Sequence, residues 1–214
     1  MAIDGSHPRP PSGQSEIDKL DLLAVKLSRR WYRMHPTKYG ALHFGCFGYR
    51  FDSATKSFGT LYIAQEAAGA FAETFCRKLG VNRIGRRRLE AMTISVLEAD
   101  DLNLIDIAGA GAVRAGVDGR LLCTEVDYDA LTRPWADAFH RHRINADGLL
   151  YKARHDLDQP AAAIFERAKK KIRIVDAYDL DTRRGKIFVE PIFVRYLVAV
   201  IPSVVRKTKA KKKH

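Results

Sequence analysis

In the segment FGTLYIAQEAAGAFAETF, residues 58–75, one carboxylate stands out against an alanine-rich helical pattern. Ala64, Ala68, Phe71, Ala72 and Phe75 recur at the i, i+4, i+7 spacing of one buried helix face. Glu73 lies two residues past Phe71, about 200° further round the axis at roughly 100° per residue. A glutamate held off an apolar face is either solvated surface or faces something that requires a negative charge. Periodicity alone favours the surface reading.

Other residue types that could do chemistry are less well placed. RIGRRRLE, Arg83 to Glu90, gathers cations that could meet phosphates, a nucleic acid or an acidic partner; it reads equally as a solvated basic loop. GAGAVRAG offers Gly109 and Gly111 to the G-x-G-x-x-G pattern, but Arg114 takes the third position. No complete βαβ unit with a suitably placed acid follows, so a short helix with glycine ends accounts for it better than a dinucleotide-binding turn. His140 and His142 are two residues apart and diverge on a helix, which argues against a metal pair and leaves them as surface residues. Cys46, Cys76 and Cys123 have no C-x-x-C spacing. They point to neither a zinc site nor a disulfide framework, and a cytoplasmic setting is the natural reading.

A chain of 214 residues has enough material for one substantial core, and 46% hydrophobic with 29% charged residues is a globular composition. No apolar run approaches the roughly 20 residues that span a bilayer, so no membrane association is expected. Residues 1–16 carry Pro, Gly and Ser without an apolar signal core and are expected to form a flexible leader. A single domain over 17–203 follows, and then a basic tail, 204–214, expected to be disordered. The net charge is +12, and Arg206, Lys207, Lys209, Lys211, Lys212 and Lys213 supply six of those charges. The tail could bind polyanions weakly on its own, and a basic nucleic-acid-binding module is one function class that the charge keeps open.

The elements that must position these residues read as follows. DKLDLLAVKL has the pattern of a short amphipathic helix, and RRWYRMHP that of a strand stopped by Pro36. Residues 37–57 are rich in glycine and aromatics and read as loop with short strands. Thr60 to Ala64 forms a strand leading into the Glu73 helix. AMTISVLEA and LNLIDI are two further strands, and DYDALTRPWADAFHRHR is a helix with Trp135 and Phe139 as an i, i+4 pair. GLLYKAR, AAAIFER and KIRIVDAYDL read as strands, and FVEPIFVRYLVAVIP as a final core element of undetermined type. Helices and strands alternate irregularly, which predicts an α+β fold of mixed sheets with flanking helices.

Taken in order, YRMHP, GYRFDSATKSFGTLYIAQEAAGAFAETF, NLIDIAGAGAVRAGVDGRL, DYDALTRPWADAF and DGLLYKARHD…AAAIFERA resemble the RES domain, the toxin half of a bacterial toxin–antitoxin pair. The resemblance implies an ADP-ribosyltransferase-like fold. It also implies breakdown of NAD⁺, as substrate and without a metal, at the nicotinamide glycosidic bond by hydrolysis or phosphorolysis. A cognate antitoxin, of helix-turn-helix type, is the partner implied. An ADP-ribosyltransferase that modifies a protein is the alternative on the same fold.

Residue by residue, Arg33 in WYRM matches the family's first arginine, and Arg50 in GYRFD the arginine of its glycine-rich segment. Tyr62 matches the aromatic before the helix, Glu73 the helix glutamate, and Thr132 in ALTRPWA a serine near the start of the later helix. Three positions depart from the family pattern: Tyr49 replaces a glycine, Met34 a tyrosine and Ala153 a serine. The implied roles suit these residue types. Arginine's planar fork binds phosphate oxygens bidentately, and a tyrosine face can stack on nicotinamide. A carboxylate can stabilise the positive charge that develops on the ribose. On this reading Glu73 and Arg33 are catalytic, while Arg33, Arg50, Tyr62 and Thr132 hold NAD⁺.

Overall fold

Successive side chains of a strand point to opposite faces of its sheet, and Thr60–Ala64 (β2) uses that alternation to serve two interiors. Leu61 and Ile63 enter one apolar cluster with Trp31, Leu97, Leu102, Leu104 and Ile164. Ala64 enters a second, larger cluster with Phe71, Phe75, Ile94, Phe139 and Tyr151, and Tyr62 packs against it. The computed structural model describes residues 9–76, 83–123 and 128–202; the basic tail and the first half of the leader lie outside the described residues.

After a short helix α1 (Gln14–Ile17), the chain forms β1 (Ala24–Pro36), β2 and α2 (Ala67–Phe75). It continues through β3 (Arg83–Gly85), α3 (Arg86–Glu90), β4 (Met92–Asp106), α4 (Gly109–Arg114), α5 (Gly119–Cys123) and α6 (Thr132–Arg141). The last elements are β5 (Gly148–Ala153), β6 (Asp156–Phe165), a 3₁₀ turn over Glu166–Lys171, β7 (Ile172–Asp179), α7 (Arg183–Arg195) and β8 (Ala199–Ile201). Six strands join in the order β1-β2-β6-β5-β4-β7, and β1 pairs again with β4, so five of the strands close into a ring. Pairing is antiparallel except between β4 and β5. β3 and β8 make a separate parallel pair. This is the mixed, helix-flanked α+β arrangement that the sequence pattern predicts. No helix among the described residues is long and apolar enough to cross a membrane.

Three expected elements differ, each because pairing or packing overrides local pattern. DKLDLLAVKL is not a helix: α1 ends at Ile17, and Ala24 to Leu27 pair with Ile105 to Leu102 of β4, where Val25 and Leu27 pack on the smaller core with Trp31 and Leu97. AMTISVLEA and LNLIDI are one strand rather than two. Its bend is taken up at Asp101 (φ 47°), whose amide donates to Ser28 Oγ at 2.8 Å, beside the register shift between Leu27 and Arg29. RIGRRRLE is not a loop, because buried Ile84 and Leu89 pull it into β3 and α3. His142 is buried rather than surface, and His140 stacks face to face on Phe58 with ring centroids 4.0 Å apart. The apolar face of the Glu73 helix comes from Ala68 to Phe75; Ala64 belongs to β2.

GAGAVR is the short glycine-ended helix expected, and its glycines have packing roles. Gly109 (φ 51°) and Gly116 (φ 71°) adopt the left-handed backbone at either end. Gly111 lies so close to the end of β4 that a Cβ there would sit 2.1 Å from the Asp106 carbonyl oxygen. Gly111→Ala is therefore expected to cost on the order of 1–3 kcal/mol through forced backbone movement. Gly119→Ala serves as control, because a methyl added there would meet nothing within 4 Å. Chemical denaturation of the two variants checks this, and equal midpoints would refute it.

Burial, helped by Arg167, pushes the His140 imidazole down to about 4 from its ordinary 6.5. A folded-state pKa below the unfolded one means that the unfolded chain binds more protons between these values. The stability contributed by neutral His140 is thus complete above about pH 6.5 and is lost as pH falls toward 4. His140→Gln should give a shallower fall of melting temperature across that window than the wild type; parallel curves would remove His140 from the acid response.

Candidate active site

A cleft of about 460 Å³ opens where β1, β2, α2 and the β5–β6 turn converge, and Arg33, Arg50, Tyr62 and Glu73 all line it. Each arrives by a separate route. α2 buries Phe71, Ala72 and Phe75 against β1, β6 and α7, which turns Glu73 away from the core and into the cleft. That position answers why a carboxylate interrupts the alanine-rich pattern. Tyr62 comes from β2, on the face opposite Leu61 and Ile63. Arg33 comes from β1, and Arg50 from the loop between β1 and β2.

Arg50 is 6% exposed. Its guanidinium donates to the Leu122 carbonyl oxygen, lies 3.5 Å from a Glu73 carboxylate oxygen, and sits 4.9 Å from the ring centroids of both Phe51 and Tyr151. Burial works against this charge, but Tyr151, Glu73, Tyr62 and Tyr128 outweigh it and hold the group above its ordinary pKa. The other Glu73 oxygen accepts the Arg154 backbone N–H at 2.9 Å, so the carboxylate is fixed from two sides. Arg33 donates to the carbonyls of Ala41 (2.6 Å) and His43 (3.2 Å), and burial lowers its pKa to about 10. It therefore anchors the loop as well as lining the cleft.

Thr132 does not join them. It is fully buried at the first turn of α6, does not line the cleft, and its hydroxyl donates to the Tyr128 carbonyl at 3.4 Å. The structure thus brings four of the five expected site residues to the cleft and places Thr132 at its own helix start instead, since spacing along the chain does not determine which way a helix start faces. The three departures also have places: Tyr49 and Met34 line the cleft, whereas Ala153 is buried in the core.

Several residues in and behind the cleft wall are not singled out by sequence. Asp52 is fully buried, and one carboxylate oxygen accepts from the amides of Phe47 (2.7 Å) and Tyr49 (2.9 Å). Its other oxygen accepts the Tyr62 hydroxyl at 3.0 Å, and that hydroxyl accepts the Phe51 amide at 2.9 Å. Burial raises both the Asp52 carboxyl and, strongly, the Tyr62 phenol above their ordinary values. Arg154, Arg88, Tyr128 and Tyr151 complete the wall. The available signal is the Arg88 run itself: Arg88 donates to the Thr74 carbonyl at 3.0 Å and covers the Phe75 ring at 4.8 Å. Among the described residues, no group of three or more His, Cys, Asp or Glu is arranged to hold a metal ion.

Four arginines, one oriented carboxylate and tyrosine faces make a cleft fitted to a small anion that also carries an aromatic ring. Comparison with known proteins agrees with the architecture. The family model described as RES domain matches residues 25–183. A chain of the M. tuberculosis MbcT–MbcA toxin–antitoxin complex superposes with a TM-score of 0.64 at 16% identity, covering 83% of this chain and 97% of its own. No curated protein matches the sequence.

Asp52→Ala leaves two amides and the Tyr62 hydroxyl without their acceptor, and should cost about 1–3 kcal/mol. Tyr62→Phe removes one of these bonds together with the acceptor of the Phe51 amide, and should cost less because the Phe47 and Tyr49 amides keep theirs. Urea denaturation of both variants ranks them, and an Asp52→Ala midpoint at or above that of Tyr62→Phe would show that the loop does not depend on this carboxylate.

Proposed function

The chain belongs to the RES domain family, and we propose that it is a toxin that consumes NAD⁺ in a cleft of ADP-ribosyltransferase-like design. The observation that carries this reading is the Glu73 carboxylate, held against buried Arg50 and turned into a cleft shared with Tyr62. In this reading Tyr62 stacks on the nicotinamide ring, which is cationic until cleavage; a desolvated contact of that kind is worth about 2 kcal/mol. Arg50 and neighbouring arginines hold the pyrophosphate. Arg33 keeps the loop in place from within the cleft wall.

The bond broken is that between the nicotinamide nitrogen and the ribose anomeric carbon, and its electron pair leaves with neutral nicotinamide. Positive charge then builds on the ribose, where Glu73 stabilises it in a site already organised before substrate arrives. Water or phosphate forms the new bond at that carbon and releases a proton, giving ADP-ribose or its 1″-phosphate. The family supports a cognate antitoxin as the partner, as does the fold neighbour from a toxin–antitoxin complex. A cytoplasmic setting, where NAD⁺ and antitoxin are both at hand, belongs to the same proposal.

Incubating the purified protein with NAD⁺, with and without phosphate, and separating the products tests the reaction. Glu73→Gln should lower turnover by roughly 10²–10³-fold. The KM should change far less, because the interaction strengthens mainly in the transition state. Stability should fall by on the order of 1 kcal/mol, since Arg50 loses its nearest anion while the partly exposed Glu73 contributes only moderately. Wild-type turnover in the glutamine variant would sink the assignment.

A further inference from the structure

Beside the cleft, the β1–β2 loop carries a run of rings that the reaction does not use. From Tyr62 the ladder passes to Tyr49 (centroids 5.9 Å), then to Phe47 (6.0 Å), and on to His43 (5.6 Å) and Tyr39 (6.1 Å). His43 and Tyr39 are themselves stacked at 5.0 Å. All five line the cleft, yet Phe47 is 53% and Tyr49 39% exposed. Large exposed aromatic faces grouped at one rim are a recognition feature rather than a folding one.

The rim is also held rigidly. Arg33 grips the carbonyls of Ala41 and His43, and Asp52 holds the amides of Phe47 and Tyr49. Gly45 exchanges backbone hydrogen bonds with Thr60 of β2 in both directions, at 3.2 and 2.9 Å. The Phe47 ring lies directly over Gly45, where a Cβ would come within 2.2 Å of it. The missing side chain at Gly45 is thus what seats the Phe47 ring on the loop.

We propose that Phe47, seated on Gly45 and backed by Tyr39 and His43, is a stacking platform for a nucleotide base at the cleft mouth, selecting nucleotides over ligands that present phosphate alone. The platform needs a ligand with a flat ring joined to a phosphate group within reach of the arginines, and that combination defines a nucleoside diphosphate. Where NAD⁺ is the substrate, the platform takes its adenine end while Tyr62 takes the nicotinamide; in that form the inference rests on the reading above. Base stacking is sequence-tolerant and strong for its size, so removing the ring should weaken binding roughly tenfold or more.

Isothermal titration of ADP and of inorganic pyrophosphate into the full-length protein tests the platform without relying on catalysis. Wild type should bind ADP more tightly than pyrophosphate. Phe47→Ala should lose roughly tenfold in ADP affinity with pyrophosphate affinity retained, and Phe47→Trp should restore it. Gly45→Ala should displace the ring and reproduce the loss, with a melting temperature near that of wild type because the nearest atoms a Cβ there would meet are those of the exposed Phe47 ring rather than backbone. Equal ADP affinity in wild type, Phe47→Ala and Gly45→Ala would overturn the platform, as would a wild type that binds the two ligands alike. A protein that leaves NAD⁺ intact but binds ADP through Phe47 would overturn the proposed reaction and support the platform. One that cleaves NAD⁺ while Phe47→Ala binds ADP as wild type does would have the reverse meaning.

Discussion

A guanidinium that is only 6% exposed must have its charge answered inside the protein, and the cleft is built around that requirement at Arg50. The partners come from four separate parts of the chain. Glu73 is supplied by α2, the Leu122 carbonyl by α5, the Tyr151 ring by β5, and the Phe51 ring by the loop itself. None of these contacts is local in sequence except the last. Satisfying one buried cation therefore fixes the loop against the helix, and the helix against the sheet, at the one place where chemistry is proposed.

The second organising device is the two-residue period of β2. With Leu61 and Ile63 committed to one interior, Tyr62 must face the other side, where the cleft lies. A slip of one residue would bury Tyr62 in the smaller core and turn an isoleucine toward the ligand. Pairing of β2 with Ala161 to Phe165 of β6 holds the register. Asp52 then converts that register into loop geometry, because the same carboxylate that receives the Tyr62 hydroxyl also receives two loop amides.

What is legible in the sequence follows from which forces are local. β2, the Glu73 helix, the glycine-ended α4 and the later strands are readable because apolar periodicity and glycine placement act within a few residues. Residues 18–27 mislead because the apolar residues at their end, Val25 and Leu27, are satisfied equally well by pairing with β4, which lies some 75 residues on. His140 and His142 look like surface because spacing says nothing of the Phe58 ring brought beside His140 by the fold. The arginines, tyrosine and glutamate carried over by family resemblance converge on one cleft, whereas Thr132 does not. A helix-start hydroxyl has an equally good use at its own helix end, where it bonds the Tyr128 carbonyl. Asp52 is invisible for a different reason: its role depends on three donors that meet only after the loop has folded.

The charge balance of the cleft also bears on how the proposed reaction would proceed. Arg33, Arg50, Arg88 and Arg154 line it with Glu73 among them, so an anionic ligand enters an electropositive space. The Arg50–Glu73 separation of 3.5 Å is longer than the roughly 2.7–2.9 Å of a well-formed charge-assisted hydrogen bond. Arg50 is thus compensated by Glu73 at a distance that leaves room for a better acceptor. A pyrophosphate oxygen would be one, and its arrival would take over the neutralisation of Arg50. Glu73 would keep its second anchor, the Arg154 amide, and so hold its place while its charge became available to the ribose. In this way the Arg50–Glu73 pair would become, once the pyrophosphate is bound, the source of the charge that acts on the bond to be broken.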